Sequence, residues 1–263
     1  MNREEIKKAF KEYTDRYDAS DGKIMLKIEH TYRVAELSDR ICESLELSKE
    51  DTDTAWLIAM LHDIGRFEQV RRFGTFADAQ SVDHAELSAD LFVNHEITDA
   101  FYDFEPEENA AMIEAAIRAH NKYRIPSDYD ERILLFSRII RDADKIDILK
   151  VNVETPQEVI YNISTEELRN CYVSEEVMNS FYEEHCVLRS LKQTPIDNLI
   201  GHLSLIYELE FPVSYSIVKE QGYYLKALKM MEDSLNPKTR ELTNTVKERI
   251  VNYINRHETQ NMV

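Results

Sequence analysis

The chain is poor in residues that interrupt helices, with 5 glycines and 6 prolines in 263 residues. β-Branched alternation is nowhere sustained, and no glycine-rich nucleotide loop is present. Three cysteines, Cys42, Cys171 and Cys186, form an odd set without metal-finger spacing and read as reduced thiols. No apolar run approaches the length needed to span a bilayer, and the segment Met1–Lys8 lacks the apolar core of a signal peptide. The expected location is therefore the cytoplasm. Positive charge is also in deficit, for the formal net charge is −18. So acidic a surface repels nucleic-acid phosphates and anionic lipid, so neither nucleic acid nor membrane is an expected partner. A phosphorylated small molecule would have to be met by a local gathering of Arg, Lys or metal ions.

Hydrophobic residues make up 43% of the chain, ample for a core, and nearly every segment shows helical spacing. The expected fold is all-α. Residues 3–18 form an amphipathic helix with Ile6, Phe10, Tyr13 and Tyr17 on one side, ended by Ser20-Asp21-Gly22. From about Lys23 to Leu45, His30 shares a stripe with Val34, Leu37 and Ile41. Taken alone it reads as a hydrogen-bonded core histidine. A helix from about Asp51 carries the apolar run Ala55–Leu61 into His62-Asp63. Neighbours on a helix point roughly 100° apart, so this pair can grip one ion only near a helix end or in a tightly packed site, and Gly65 would let the helix finish.

Arg66 to Asp83 has weak periodicity, a central Gly74, three phenylalanines and Arg66, Arg71 and Arg72. It reads as a long binding loop or lid. The alternative for Arg71 and Arg72 is that they pair with surplus carboxylates. Ser81 or Asp83 caps a helix with His84 in its first turn, and His95 reads as an ordinary histidine near its C-terminus. A further helix, with Pro106 at an early position, has the stripe Ile113, Ala116, Ile117, His120. The helix from about Asp130 puts Asp144 inward with Ile133, Ser137, Ile140 and Ile148, and Asp142 on another face. A buried Asp needs a partner, and a cation is the simplest one.

Residues 151–263 carry helices around 155–163, 165–171, 173–190, 195–210, 213–232 and 237–258. His185, His202 and His257 lie there without a partner at ligand spacing and read as structural or exposed. The domain reading is an N-terminal helix over 1–22, a site-bearing domain over 23–150, and a C-terminal helical extension over 151–263 packed on it.

The ordered inward set His30, His62-Asp63, His84, His120 and Asp144 resembles the H…HD…H…H…D signature of the HD-domain superfamily. The local contexts Glu29-His30-Thr31, Leu61-His62-Asp63-Ile64-Gly65 and Asp142-Ala143-Asp144-Lys145-Ile146-Asp147 agree. The resemblance implies an HD-domain helical bundle with added C-terminal helices. It also implies that His30, His62, Asp63 and Asp144 hold one metal ion, with His84 and His120 holding a second across a bridging Asp63. Mixed nitrogen and oxygen donors suit iron or manganese, with Zn, Co, Ni or Mg as other candidates.

The implied activity is a metal-dependent phosphohydrolase. On this resemblance a hydroxide bridging the ions would be the nucleophile toward a phosphoester of a small molecule, in the first instance a nucleotide. Asp63, Arg66 and Lys145 are the candidate catalytic residues. Arg66, Arg71, Arg72, Lys122 and Lys145 are candidates for substrate phosphate, although Lys145 can instead point outward to a carboxylate. Two other readings are a di-iron oxygenase of the same superfamily and a non-catalytic metal-binding regulatory module. The Gly-Tyr-Pro element of cyclic-dinucleotide-cleaving relatives is missing after the HD pair, where Gly74-Thr75-Phe76 does not match. No second catalytic domain of the stringent-response kind is present.

Overall fold

The computed structural model describes residues 1–94 and 107–258, and they are all-helical. His95 and Pro106, discussed above, fall outside the described residues. The chain divides into two compact units, Met1–Asp144 and Lys145–Val263.

In the first unit, α1 (Arg3–Thr14) starts at Asn2, whose side chain accepts from the Glu4 N–H. Its apolar face puts Phe10 and Tyr13 edge-on against Phe67, and the Tyr13 hydroxyl donates to the Ile64 carbonyl at 2.9 Å. α2 (Gly22–Ser44) is capped by Asp21 and α3 (Lys49–Leu61) by Ser48. From Asp53 to Leu61 every residue of α3 is buried. A helix apolar on all sides has to lie inside the bundle, and α3 is therefore the element around which the others pack. α5 (His84–Val93) is capped by Asp83, which accepts from the Ala85 and Glu86 N–H groups. α6 (Glu107–Ala119) and α7 (Glu131–Glu154) follow.

The sequence between Arg66 and Asp83 departs from expectation. Instead of a loop from Arg66, α4 spans Ile64–Phe73. Ile64, Phe67 and Val70 repeat at steps of three and are buried. That stripe is thinned by interposed arginines, which is why its period is hard to read. Gly74, at φ 66°, supplies the left-handed turn that ends the helix. Gly65 does not close the preceding helix. It lies in the first turn of α4, where a Cβ would sit 2.7 Å from the His84 carbonyl oxygen and 2.7 Å from the Ser88 nitrogen. Its bare backbone lets α4 and α5 touch, and its N–H donates to Ser88 Oγ at 2.9 Å. Gly65→Ala should therefore cost about 1–3 kcal/mol by overpacking, read as a lower urea midpoint at unchanged slope.

In the second unit the helices are α8 (Gln157–Tyr161), α9 (Thr165–Asn170), α10 (Glu175–Tyr182), α11 (Asp197–Leu203), α12 (Pro212–Gln221), α13 (Tyr223–Glu232) and α14 (Pro237–Glu258). The expected helix over 213–232 is two helices, because Gly222 takes φ 66° between them. The expected helix over 195–210 tightens after Leu203 into the 3-10 turn Ser204–Glu208.

Candidate metal centre

Five segments of the first unit deliver the polar residues. α2 carries His30 on its buried stripe. His62 closes α3 as its C-cap, and Asp63, at φ −114° and ψ 14°, opens α4. The break between two helices lets adjacent residues turn to one point. Asp83 caps α5 and so fixes His84 at its start, while His120 follows the last residue of α6 and Asp144 lies in α7. Arg141, buried on α7, donates to the carbonyls of Ala119 and Lys122 and secures the turn that holds His120.

His30, His62 and Asp144 offer ligand atoms within 4.8 Å of one another, as do His62, Asp63 and His120. His30 Nε2 lies 3.1 Å from Asp144 Oδ1 and 3.4 Å from His62 Nε2. His84 Nε2 lies 3.1 Å from His120 Nε2. Asp63 stands between these pairs. Its Oδ2 is 3.5 Å from both His30 Nε2 and His62 Nε2. Its Oδ1 is 3.5 Å from His84 Nε2 and 3.8 Å from His120 Nε2.

The hydrogen bonds on the far side of each ring settle the tautomers. His62 Nδ1 donates to the Ala59 carbonyl and His120 Nδ1 to the Ile117 carbonyl, each at 2.7 Å. His84 Nδ1 donates to Asp78 Oδ2 at 2.9 Å. Each ring then turns an unprotonated Nε2 inward. Such lone pairs crowded against a carboxylate repel one another unless a cation lies among them.

The charge states agree. Burial pushes His84 down from its ordinary range, with the Arg66 guanidinium adding to the effect. Burial, His84 and His62 push His120 down to about 3. Burial opposes the charge on Asp63, yet the Lys27 ammonium holds its carboxyl well below the usual range. Asp144 is held low against burial chiefly by hydrogen bonding with His30. Neutral His84 and His120 and ionised Asp63 and Asp144 are in the forms that bind metal. Asp63 Oδ1 is buried and accepts no hydrogen bond. The donor set thus fits a divalent ion.

Arg66 reaches this cluster. Its guanidinium donates to Gln69 Oε1, the Phe76 carbonyl and Asp78 Oδ1 at 2.7–2.9 Å, and one N–H points at His84 Nε2 at 3.2 Å. Its Nε is buried without a hydrogen-bond partner and stands 3.6 Å from Asp63 Oδ1. The other expected phosphate contacts engage elsewhere. Arg71 and Arg72 both pair with Glu68. Lys122 pairs with Glu86 at 2.7 Å and Asp83 at 3.3 Å. Lys145, in the second unit, donates to the Glu208 carbonyl at 2.6 Å.

Two residues at the centre escaped the sequence reading. Lys27 Nζ lies 2.6 Å from Asp63 Oδ2. The signal was available, since Lys27 is one helical turn before His30 and shares its face. Asp78 orients His84 and receives Arg66 from the 3-10 turn Asp78–Gln80, and no periodicity marks such a position. An outer partner of this kind fixes ring and tautomer, so Asp78→Asn should weaken metal binding about 10–100-fold, read by competition with a chromophoric chelator.

Comparison with protein-family models matches residues 28–149 to the HD domain. No curated protein and no solved structure matches the chain. HD domains are typically metal-dependent phosphohydrolases. No helix among the described residues is long and apolar enough to cross a membrane. The family match and the buried His and Asp clusters lead to one conclusion: residues 28–149 are an HD domain.

Proposed function

We propose that the protein is a metal-dependent phosphohydrolase that cleaves a phosphoester of a small molecule, with a nucleotide as the first class to test. The observation that carries this reading is the Asp63 carboxylate, whose two oxygens each meet a different pair of inward Nε2 atoms. On this reading His30, His62, Asp63 and Asp144 bind one ion, and Asp63, His84 and His120 a second, with iron or manganese suited to the mixed donors. Ions held there lower the pKa of water and neutralise phosphate oxygens.

The chain's own part is to place charge around the reacting group. Arg66 Nε–H, which makes no hydrogen bond, is the donor we assign to a non-bridging oxygen of the substrate. Lys27, paired with Asp63, supplies a second cation beside the same carboxylate. Lys145 remains a candidate for substrate through its place directly after Asp144.

The test is metal analysis followed by turnover. The purified protein should hold about two transition ions per chain, and His84→Ala or His120→Ala should lose one of them. Full metal content and activity in both variants would sink the dinuclear reading. A panel of phosphoesters, run with and without dioxygen, then reads the reaction class. Hydrolysis that proceeds anaerobically supports the hydrolase, and turnover only with dioxygen overturns it in favour of an oxygenase.

A further inference from the structure

One oxygen of the Asp63 carboxylate is called on twice. Oδ2 stands 3.5 Å from both His30 Nε2 and His62 Nε2, and the Lys27 ammonium sits 2.6 Å from the same atom. Lys27 lies one turn before His30 on α2, so one helix carries both the ammonium and a metal ligand to this oxygen. Among the described residues Asp63 is the only ion-pair partner of Lys27.

On the reading above, the ion of His30, His62 and Asp144 takes its bond to Asp63 through Oδ2. A carboxylate oxygen has lone pairs for an ammonium and a metal ion together. The two cations nevertheless repel, and away from bulk water that repulsion is poorly screened. The Lys27 side chain is only 15% exposed, so hydration replaces little of what the ammonium loses when Oδ2 is shared. Lys27 therefore opposes the ion on this side of Asp63.

The other neighbours of the ammonium do not supply negative charge. The centroid of the Phe76 ring lies 5.5 Å from Lys27 Nζ, and the Arg66 guanidinium carbon lies 5.5 Å from the same centroid. An aromatic face attracts a cation but does not neutralise it. Arg66 Nε stands 3.6 Å from the other oxygen of Asp63. Two cations thus share one ring and one carboxylate, and a divalent ion at Oδ2 adds to their charge. A phosphate group answers that excess, because it carries negative charge on several oxygens and can meet an ion and an ammonium together.

We propose that Lys27 couples the binding of metal to the binding of phosphate. Its ammonium competes with the ion for Asp63 Oδ2, and a phosphate group ends the competition by drawing the ammonium to one of its own oxygens. The proposal rests on the metal reading given above but not on hydrolysis, since both of its parts are binding equilibria. By linkage, phosphate tightens the ion by the same factor by which the ion tightens phosphate.

The experiment titrates manganese(II) into the full-length protein freed of metal, with and without inorganic phosphate, and reads the free ion by electron paramagnetic resonance. In the parent chain phosphate should tighten manganese about tenfold. Without phosphate, Lys27→Met should bind manganese about tenfold more tightly than the parent, and phosphate should then add little. Lys27→Gln should move in the same direction and carries the comparison if circular dichroism shows Lys27→Met to be unfolded. Lys23→Met removes the same charge one turn earlier on α2 and should behave as the parent. Lys27 variants that bind manganese no more tightly overturn the proposal, as does a gain shared by Lys23→Met or a parent chain indifferent to phosphate. A parent chain that takes up no manganese overturns the metal reading and the coupling together. Coupling lost in the Lys27 variants, in a protein that turns over no phosphoester, upholds the role of Lys27 and removes only the hydrolase reading.

Discussion

Asp63→Ala is expected to empty the centre of both ions and to lower hydrolysis by at least about a thousandfold. Each oxygen of this carboxylate meets a different histidine pair, so its removal takes a donor from both ions at once. His84 and His120 each meet only the Oδ1 side, and losing either should leave the His30, His62 and Asp144 ion in place. Asp63→Ala also leaves the Lys27 ammonium without its 2.6 Å partner. Asp63→Asn keeps the volume and one carbonyl oxygen and separates loss of charge from loss of packing. Metal content by mass spectrometry, with helix content followed by circular dichroism, reads the result. Full metal retention in Asp63→Ala, alongside complete loss in His84→Ala, would contradict the bridging geometry.

Arg66→Met should lower stability by about 3–5 kcal/mol, the usual consequence of removing one partner of a buried ion pair. Asp78 would keep the His84 and Gln69 hydrogen bonds but lose its guanidinium. The Phe76 carbonyl would lose its donor, and with it the fold of the segment between Gly74 and Asp83 would loosen. Arg66→Lys should rescue only part of the effect, because one ammonium cannot reproduce a planar fork reaching Gln69, Phe76, Asp78 and His84 together. Urea denaturation measures the stability, and metal affinity in the same variants reports on His84. A variant as stable as the parent chain would show that Asp78 needs no cation.

The inward His and Asp residues were readable because each sits on or beside a buried helical stripe. His30 lies in step with Val34, Leu37 and Ile41, and His120 in step with Ile113, Ala116 and Ile117, and an inward polar side chain at such spacing needs a partner. The all-α fold was readable for the same reason, since scarce glycine and proline leave few ways to end a helix. The segment after Asp63 was misread because α4 carries three arginines over a narrow apolar stripe, and two of them serve only Glu68. Gly65 was read as a helix stop, yet its role is steric and depends on α5, a neighbour in space rather than in sequence.

By itself, the sequence determined that the chain is helical, that it is strongly acidic, and that His30, His120 and Asp144 lie on inward helical stripes. Those properties follow from composition and from the period of one element at a time. Tertiary structure decided how the residues are used. It put the Asp63 carboxylate between two histidine pairs, brought Lys27 and Asp78 to the centre, and turned Arg66 from a loop arginine into a buried clamp. Each of these depends on the distance between elements far apart in the chain, and helical periodicity carries no information about that distance.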